Sequence, residues 1–369
     1  MDEAPGARIG RAPIRVDGPT RPPDPSPVFA ALDLGTNNCR LLIAAPTARG
    51  FRIVDAYSRI VRLGEGLSQS GRLGEAAMER ALAALSVCAA KIGRRGVSRI
   101  EAVATQACRS AANGQGFLDE VAARTGLRLS IITPREEARL SVAGCLNLLD
   151  RQARAALVVD IGGGSTEMSW VDPGGGDRAG HGRRGPWRAP IRAWVSIPIG
   201  VVTLAERYPE PAAGGAAWFR AMVEAMKAQI ALFTAADGLR PHFLAGRAHL
   251  VGTSGAITSL AGLHLGLPRY DRAQVDGLWM TRDECDAAAA RLAALTLAER
   301  AAQPCIGPDR ADLVMAGAAI LAAVQELWPC ERVRVADRGL REGLLLSQMA
   351  QYASDRRRSG GHARPWPAA

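Results

Sequence analysis

Apolar residues along the chain fall into two kinds of run. Continuous apolar segments at 28–34 and 156–161 carry the mark of strands buried on both faces. Each ends in Asp-x-Gly, passes through a polar turn at 35–38 or 162–165, and leads into a second apolar run at 41–45 or 166–171. Further short strands are predicted at 51–57, 59–63, 100–105 and 127–132, and later at 333–335. The other kind of run has helical spacing. Over 75–92, Met78, Leu82, Leu85 and Ala89 recur on one helical face. Helices are also expected from Thr133, near 216–234, 281–295 and 311–327, and from Leu340.

The matching of Asp33-Leu-Gly35-Thr36 with Asp160-Ile-Gly162-Gly163, each between two strands, predicts an α/β protein of two related halves facing one cleft. The expected organisation is a disordered tail at 1–27, a first domain at 28–150, a second at 151–350 and a basic disordered tail at 351–369. The Gly- and Arg-rich stretch 173–190 is expected to be a loop inserted in the second domain.

Charge changes this picture little. The net charge is +10, but 173–192 holds five Arg against one Asp, and 355–369 four Arg against one Asp. The excess sits mainly in a loop and a tail, suited to steering polyanions but not to reading a nucleic-acid groove. The seven cysteines are scattered and form no CxxC pair, which fits buried, reduced thiols and a cytoplasmic protein. The longest apolar run, 313–324, is too short to span a membrane, and the N-terminal segment has no signal-like apolar region.

The candidate chemistry lies in the turns. Glycines let successive backbone N–H groups converge on one anion, and Thr36, Asn37, Asn38, Ser165 and Thr166 add side-chain donors. Asp33 and Asp160, at the strand ends, are placed to hold a divalent ion or its water beside phosphates. A third loop, Gly252-Thr-Ser254-Gly255, follows a strand and opens a helix, offering that helix's N-terminus to an anion. Thr133-Pro-Arg-Glu136 reads as a capping box, which occupies Glu136 and turns Glu137 about a quarter-turn away. Glu137 is then either a solvated first-turn acid or a base facing the cleft. Arg109 follows a strand and is either a surface residue or a clamp on phosphate oxygens.

Six segments in order carry a resemblance: Asp33–Asn37, 105–113, 136–139, 160–167, 252–255 and 337–343. Together they resemble the exopolyphosphatase and guanosine-pentaphosphate phosphatase family over roughly 28–349. The resemblance implies two actin-like, ribonuclease H-like domains flanking a central cleft. It implies hydrolysis of the terminal phosphate of inorganic polyphosphate, or alternatively of guanosine pentaphosphate. It also implies Glu137 as general base, Glu167 and Asp160 as ligands of Mg²⁺ or Mn²⁺, Arg109 on phosphate, and Gly35–Asn38 with Gly162–Ser165 as phosphate loops. A homodimer is the assembly it allows.

Two departures stand out: Ala256 where the family often has Thr, and Asn38 where Ser is usual. The chain ends soon after the two-domain core, and five histidines are too few for the His-Asp metal site of longer members. A small-molecule kinase of the same superfold needs an adenosine pocket and a junction Asp, and neither is evident. An actin-like ATPase or a non-enzymatic polyanion binder are the remaining alternatives.

Overall fold

The computed structural model describes residues 27–48, 50–173, 191–212 and 215–358. Residues 1–26 of the tail predicted at 1–27, most of the inserted loop (174–190) and the last residues (359–369) lie outside the described residues.

Two mixed sheets share one topology. The first is built from β1 (Phe29–Leu34), β2 (Asn38–Thr47), β3 (Gly50–Ile60), β4 (Arg99–Ala104) and β5 (Ser130–Ile131). Its order is β3-β2-β1-β4-β5: an antiparallel meander extended by parallel β4 and β5. The second contains β6 (Ala155–Ile161), β7 (Thr166–Val171), β8 (Ile191–Ile197), β9 (Ala248–Thr253), β10 (Trp279–Thr281) and β11 (Arg332–Ala336). From β8 inward it repeats the same plan, β8-β7-β6-β9-β11, with antiparallel β10 on the edge. The duplication inferred from two short motifs thus extends to whole sheets. β1 and β6 are central, so their residues are buried on both faces, as their unbroken apolar runs require.

Several local expectations shift. The runs 51–57 and 59–63 are one strand, β3, which ends at Ile60; Arg62 then turns with φ +48° and leaves the sheet. The strand expected at 127–132 narrows to Ser130–Ile131. The helix at 75–92 runs Glu75–Arg94, and its buried face centres on Ala81, Leu82, Leu85 and Cys88 rather than on Met78 and Ala89. All seven cysteines are free and buried. Among the described residues no helix is long and apolar enough to cross a membrane.

The largest correction concerns the chain's end. Residues 351–358 are not a disordered tail but the last turns of a helix, Leu340–Arg358. That helix does not lie with the second sheet. Leu340, Leu344, Leu345 and Met349 pack on Phe29, Ala31, Leu42 and Val103 of the first sheet, and Tyr352 meets Phe29 edge-on at 5.5 Å. An apolar stripe draws the helix onto the sheet, while Arg356, Arg357 and Arg358 fall in its last turn, where the helix dipole favours cations.

This final helix crosses the helix Pro134–Cys145, which lies between the two sheets. Their backbones touch. A Cβ on Gly144 would stand 2.0 Å from Gly339 O, and one on Gly343 2.0 Å from Leu140 O. Only glycine permits so close a crossing.

Candidate active site

Both glycine turns are hairpin connectors of identical form. Gly35 N donates to Asn38 O at 2.8 Å, and Gly162 N donates to Ser165 O at 2.9 Å. The turns meet across the cleft. A Cβ on Gly163 would lie 3.0 Å from Asn37 N, and one on Gly164 2.8 Å from Thr36 Oγ1, so side chains there would hold the domains apart.

Beneath the turns lies a cavity of about 90 Å³. Asp33, Gly35, Thr36, Asn37 and Asn38 of the first hairpin line it. So do Asp160, Gly162, Gly163, Gly164, Ser165 and Glu167 of the second, together with Glu137 and Ser254. Strand register explains the acids and bases. Asp33 stands opposite Arg40 on β1 and β2, and Asp160 stands opposite Glu167 on β6 and β7. The repeated hairpin therefore presents Asp and Arg from one domain, Asp and Glu from the other. Serines hold the second pair: Ser141 Oγ donates to Asp160 Oδ2 at 2.6 Å, and Ser196 Oγ to Glu167 Oε1 at 2.7 Å.

Glu137 is 9% exposed. Thr133 caps its helix by accepting from Glu136 N at 3.2 Å, as the sequence predicts, but the Glu136 side chain turns toward Arg139. Only half of the capping box forms. Of the two positions the sequence left open for Glu137, the structure has the one facing the cavity. Burial, and next the Glu167 carboxylate, push its pKa well above the usual range, while Arg109 opposes them. Burial and the neighbouring Asp160 charge push Glu167 to about 7. Burial lifts Asp33 to about 6 against Arg40 and Arg341, and burial also raises Asp160. Four carboxyl groups crowded into one desolvated cavity resist ionising together.

Four expected site residues stand elsewhere. Arg109 does not line the cavity. Its guanidinium lies behind Glu137, donating to Glu137 Oε2 at 3.2 and 3.3 Å, to Ile132 O at 2.7 Å and to Gln106 Oε1 at 2.6 Å. Thr166 is fully buried and donates to Ile199 O at 2.7 Å. Gly252 packs on Ile257, because its strand needs close contact with the helix that follows. Gly255 opens that helix, Gly255–His264, and lines a smaller neighbouring cavity with Asn37, Asn38 and Arg310. Ser254 does reach the main cavity, in a left-handed conformation (φ +88°) that a serine adopts only under constraint.

The sequence reading did not assign Arg40, Asp337, Arg338, Arg341 or Glu342 to the site, yet all line the cavity. Arg40 occupies the place in the first hairpin that Glu167 occupies in the second, a signal the repeat contained. The others come from the segment between β11 and the final helix, which the sequence motif 337–343 marked without giving it a role.

Oδ1 atoms of Asp33, Asn37 and Asn38 are buried in the cavity wall with no hydrogen-bond partner. Among the described residues no group of three or more His, Cys, Asp or Glu is arranged to enclose a metal. Such a site fits an ion held by one or two carboxylates that keeps its waters, the habit of magnesium.

A model of the Ppx/GppA phosphatase family matches residues 42–352. A curated relative, exopolyphosphatase 2 of Mycobacterium tuberculosis, is 30% identical over 334 residues, covering 86% of this chain and 97% of that one. The guanosine-5′-triphosphate,3′-diphosphate pyrophosphatase of Photobacterium profundum is 29% identical over 335 residues, 88% of this chain but 60% of that protein. Among solved structures, the Ppx/GppA family member of Aquifex aeolicus aligns with a TM-score of 0.69 at 27% identity, covering 88% of this chain and 98% of that one.

Proposed function

Because the chain belongs to the Ppx/GppA phosphatase family, the family its six motifs imply, we propose that it is an exopolyphosphatase that hydrolyses the terminal phosphoanhydride of inorganic polyphosphate. The observation that carries this reading is the placement of Glu137: buried, backed by Arg109, and sharing one cavity with both hairpin turns.

The terminal phosphoryl group lies under the turns, where backbone N–H groups and Thr36, Asn37, Asn38 and Ser165 hold its oxygens. Arg40 and Arg341, which line the cavity, add positive charge. Glu137 orients a water and takes its proton as the water oxygen attacks phosphorus. The bond to the bridging oxygen breaks, leaving orthophosphate and a chain one unit shorter. Arg109 fixes the Glu137 carboxylate and holds down its proton affinity, keeping the base available. Asp160 and Glu167, each steadied by a serine, are the residues to hold Mg²⁺ or Mn²⁺, with Asp33 beside them. When bound, the ion neutralises phosphate charge and draws protons off the crowded carboxyl groups.

The test is orthophosphate release from long-chain polyphosphate with Mg²⁺, run beside guanosine pentaphosphate, for the native chain and Glu137→Gln. Release from polyphosphate that disappears in the variant supports the reading. Conversion of the nucleotide alone moves the chain to the guanosine-pentaphosphate activity, and silence on both removes the reading.

A further inference from the structure

An enzyme that shortens a chain from its end faces a product problem. On the exopolyphosphatase reading the terminal phosphoryl lies under the hairpin turns and the rest of the chain occupies the entrance. If the chain stays bound between cuts, orthophosphate must leave by another route.

The structure holds a second cavity of about 500 Å³, lined by Phe51, Asn147, Arg272, Ala273, Asp276 and Leu346, among others. It shares a wall with the catalytic cavity, because Arg338 and Glu342 line both. Ion pairs hold that wall from the far side. Arg338 Nε lies 3.0 Å from both oxygens of Asp276, with a further contact from Nη2. Arg272 Nη2 donates to Glu342 Oε1 at 3.1 Å. Arginines thus stand on both sides and in the partition itself: Arg341 facing the catalytic cavity, Arg338 in the wall, Arg272 in the second cavity.

We propose that this second cavity is the exit for orthophosphate, opened when Arg338 swings off Asp276 and passes the anion from Arg341 toward Arg272. A dianion moving along this line exchanges one guanidinium for the next, and Asp276 recaptures Arg338 behind it. The inference rests on the exopolyphosphatase reading.

The exit is tested by blocking it at residues outside the catalytic cavity. Ala273 and Asn147 both line the second cavity and are solvent-exposed, so a tryptophan at either is compatible with folding. Three quantities are measured for the native chain, Ala273→Trp and Asn147→Trp: single-turnover cleavage, steady-state release from long-chain polyphosphate, and steady-state release from tripolyphosphate. Expected is an unchanged single turnover, with release from long chains slowed about tenfold because product departure becomes limiting. Tripolyphosphate turnover stays near native, since its short remnant can leave by the entrance and clear the way. Unchanged long-chain turnover in both variants overturns the exit, as does an equal loss on both substrates or a loss in single turnover. A native chain that cleaves neither substrate refutes the underlying activity instead, which keeps the two failures distinct.

Discussion

Arg62 reaches from the first domain to the second and meets Asp312 with both terminal guanidinium nitrogens, at 2.7 and 2.9 Å. The adjoining segment adds to the grip: Gly66 N donates to Glu206 Oε1 at 2.9 Å, and Ser68 Oγ to Glu206 Oε2 at 2.6 Å. Arg62 and Asp312 are each about a third exposed, so the pair contributes little to global stability, on the order of 1 kcal/mol or less. Its effect lies in keeping the two hairpin turns together. Asp312→Ala is expected to leave the melting temperature nearly unchanged and to lower kcat/KM on polyphosphate about fivefold, near 1 kcal/mol. Unaltered kinetics would show that closure does not depend on this pair.

Glu137→Gln keeps the size and burial of the side chain and removes the base. Turnover should fall by roughly 10²- to 10⁴-fold with substrate affinity retained, as measured by initial rates and by equilibrium binding of polyphosphate. Arg109 gives a separate signature. Because its charge lowers the proton affinity of Glu137, Arg109→Gln should move the acidic limb of the kcat/KM profile to higher pH. An arginine gripping phosphate directly would instead raise KM without moving that limb.

The crowded carboxyl groups make stability depend on pH in an unusual direction. Asp33 and Glu167 titrate near 6 and 7 when folded, against 3.8 and 4.5 ordinarily, so the folded state holds protons that the unfolded chain has released. Their stabilising contribution is complete below about pH 4 and is lost as pH rises through 6 and 7. A bound divalent ion reverses this. Adding Mg²⁺ should raise the melting temperature more at pH 8 than at pH 5; at a hundredfold excess over its dissociation constant the ion adds about 2.7 kcal/mol of stability in all. Equal shifts at both pH values would place the ion away from these acids.

Gly144→Ala and Gly343→Ala test the helix crossing. Alanine in place of a helical glycine ordinarily stabilises by about 1 kcal/mol. Here each new methyl overlaps a backbone carbonyl, at 2.0 Å, and the sign reverses. A loss of about 1–3 kcal/mol is expected, read for a chain of 369 residues as a melting temperature lower by roughly 1–2 °C per kcal/mol.

What could be read from the sequence follows from how local each signal is. The paired Asp-x-Gly turns were legible because a glycine-rich polar turn between apolar runs has few structural uses. Thr133 and Pro134 fix the start of the helix that carries Glu137, but helix phase leaves that residue either a solvated first-turn acid or a base, and only the family resemblance favours the base. Arg109 was found, but its direction was not, since nothing local says that Glu137 and Ile132 O will occupy its guanidinium. The pairing of Arg62 with Asp312 joins distant segments and leaves no pattern in either. The final helix was misplaced for the same reason: an apolar stripe shows that a helix is buried but not which sheet buries it.

That helix also sets an order of assembly during synthesis. Phe29, Ala31, Leu42 and Val103 are among the earliest core residues to leave the ribosome, yet their cover, Leu340 to Met349, is among the last. The second domain, lying between, can complete its own core first. The nascent first sheet therefore waits with one apolar face open, and a chain released before the final helix is made would carry that face, intact and adhesive, into the cell.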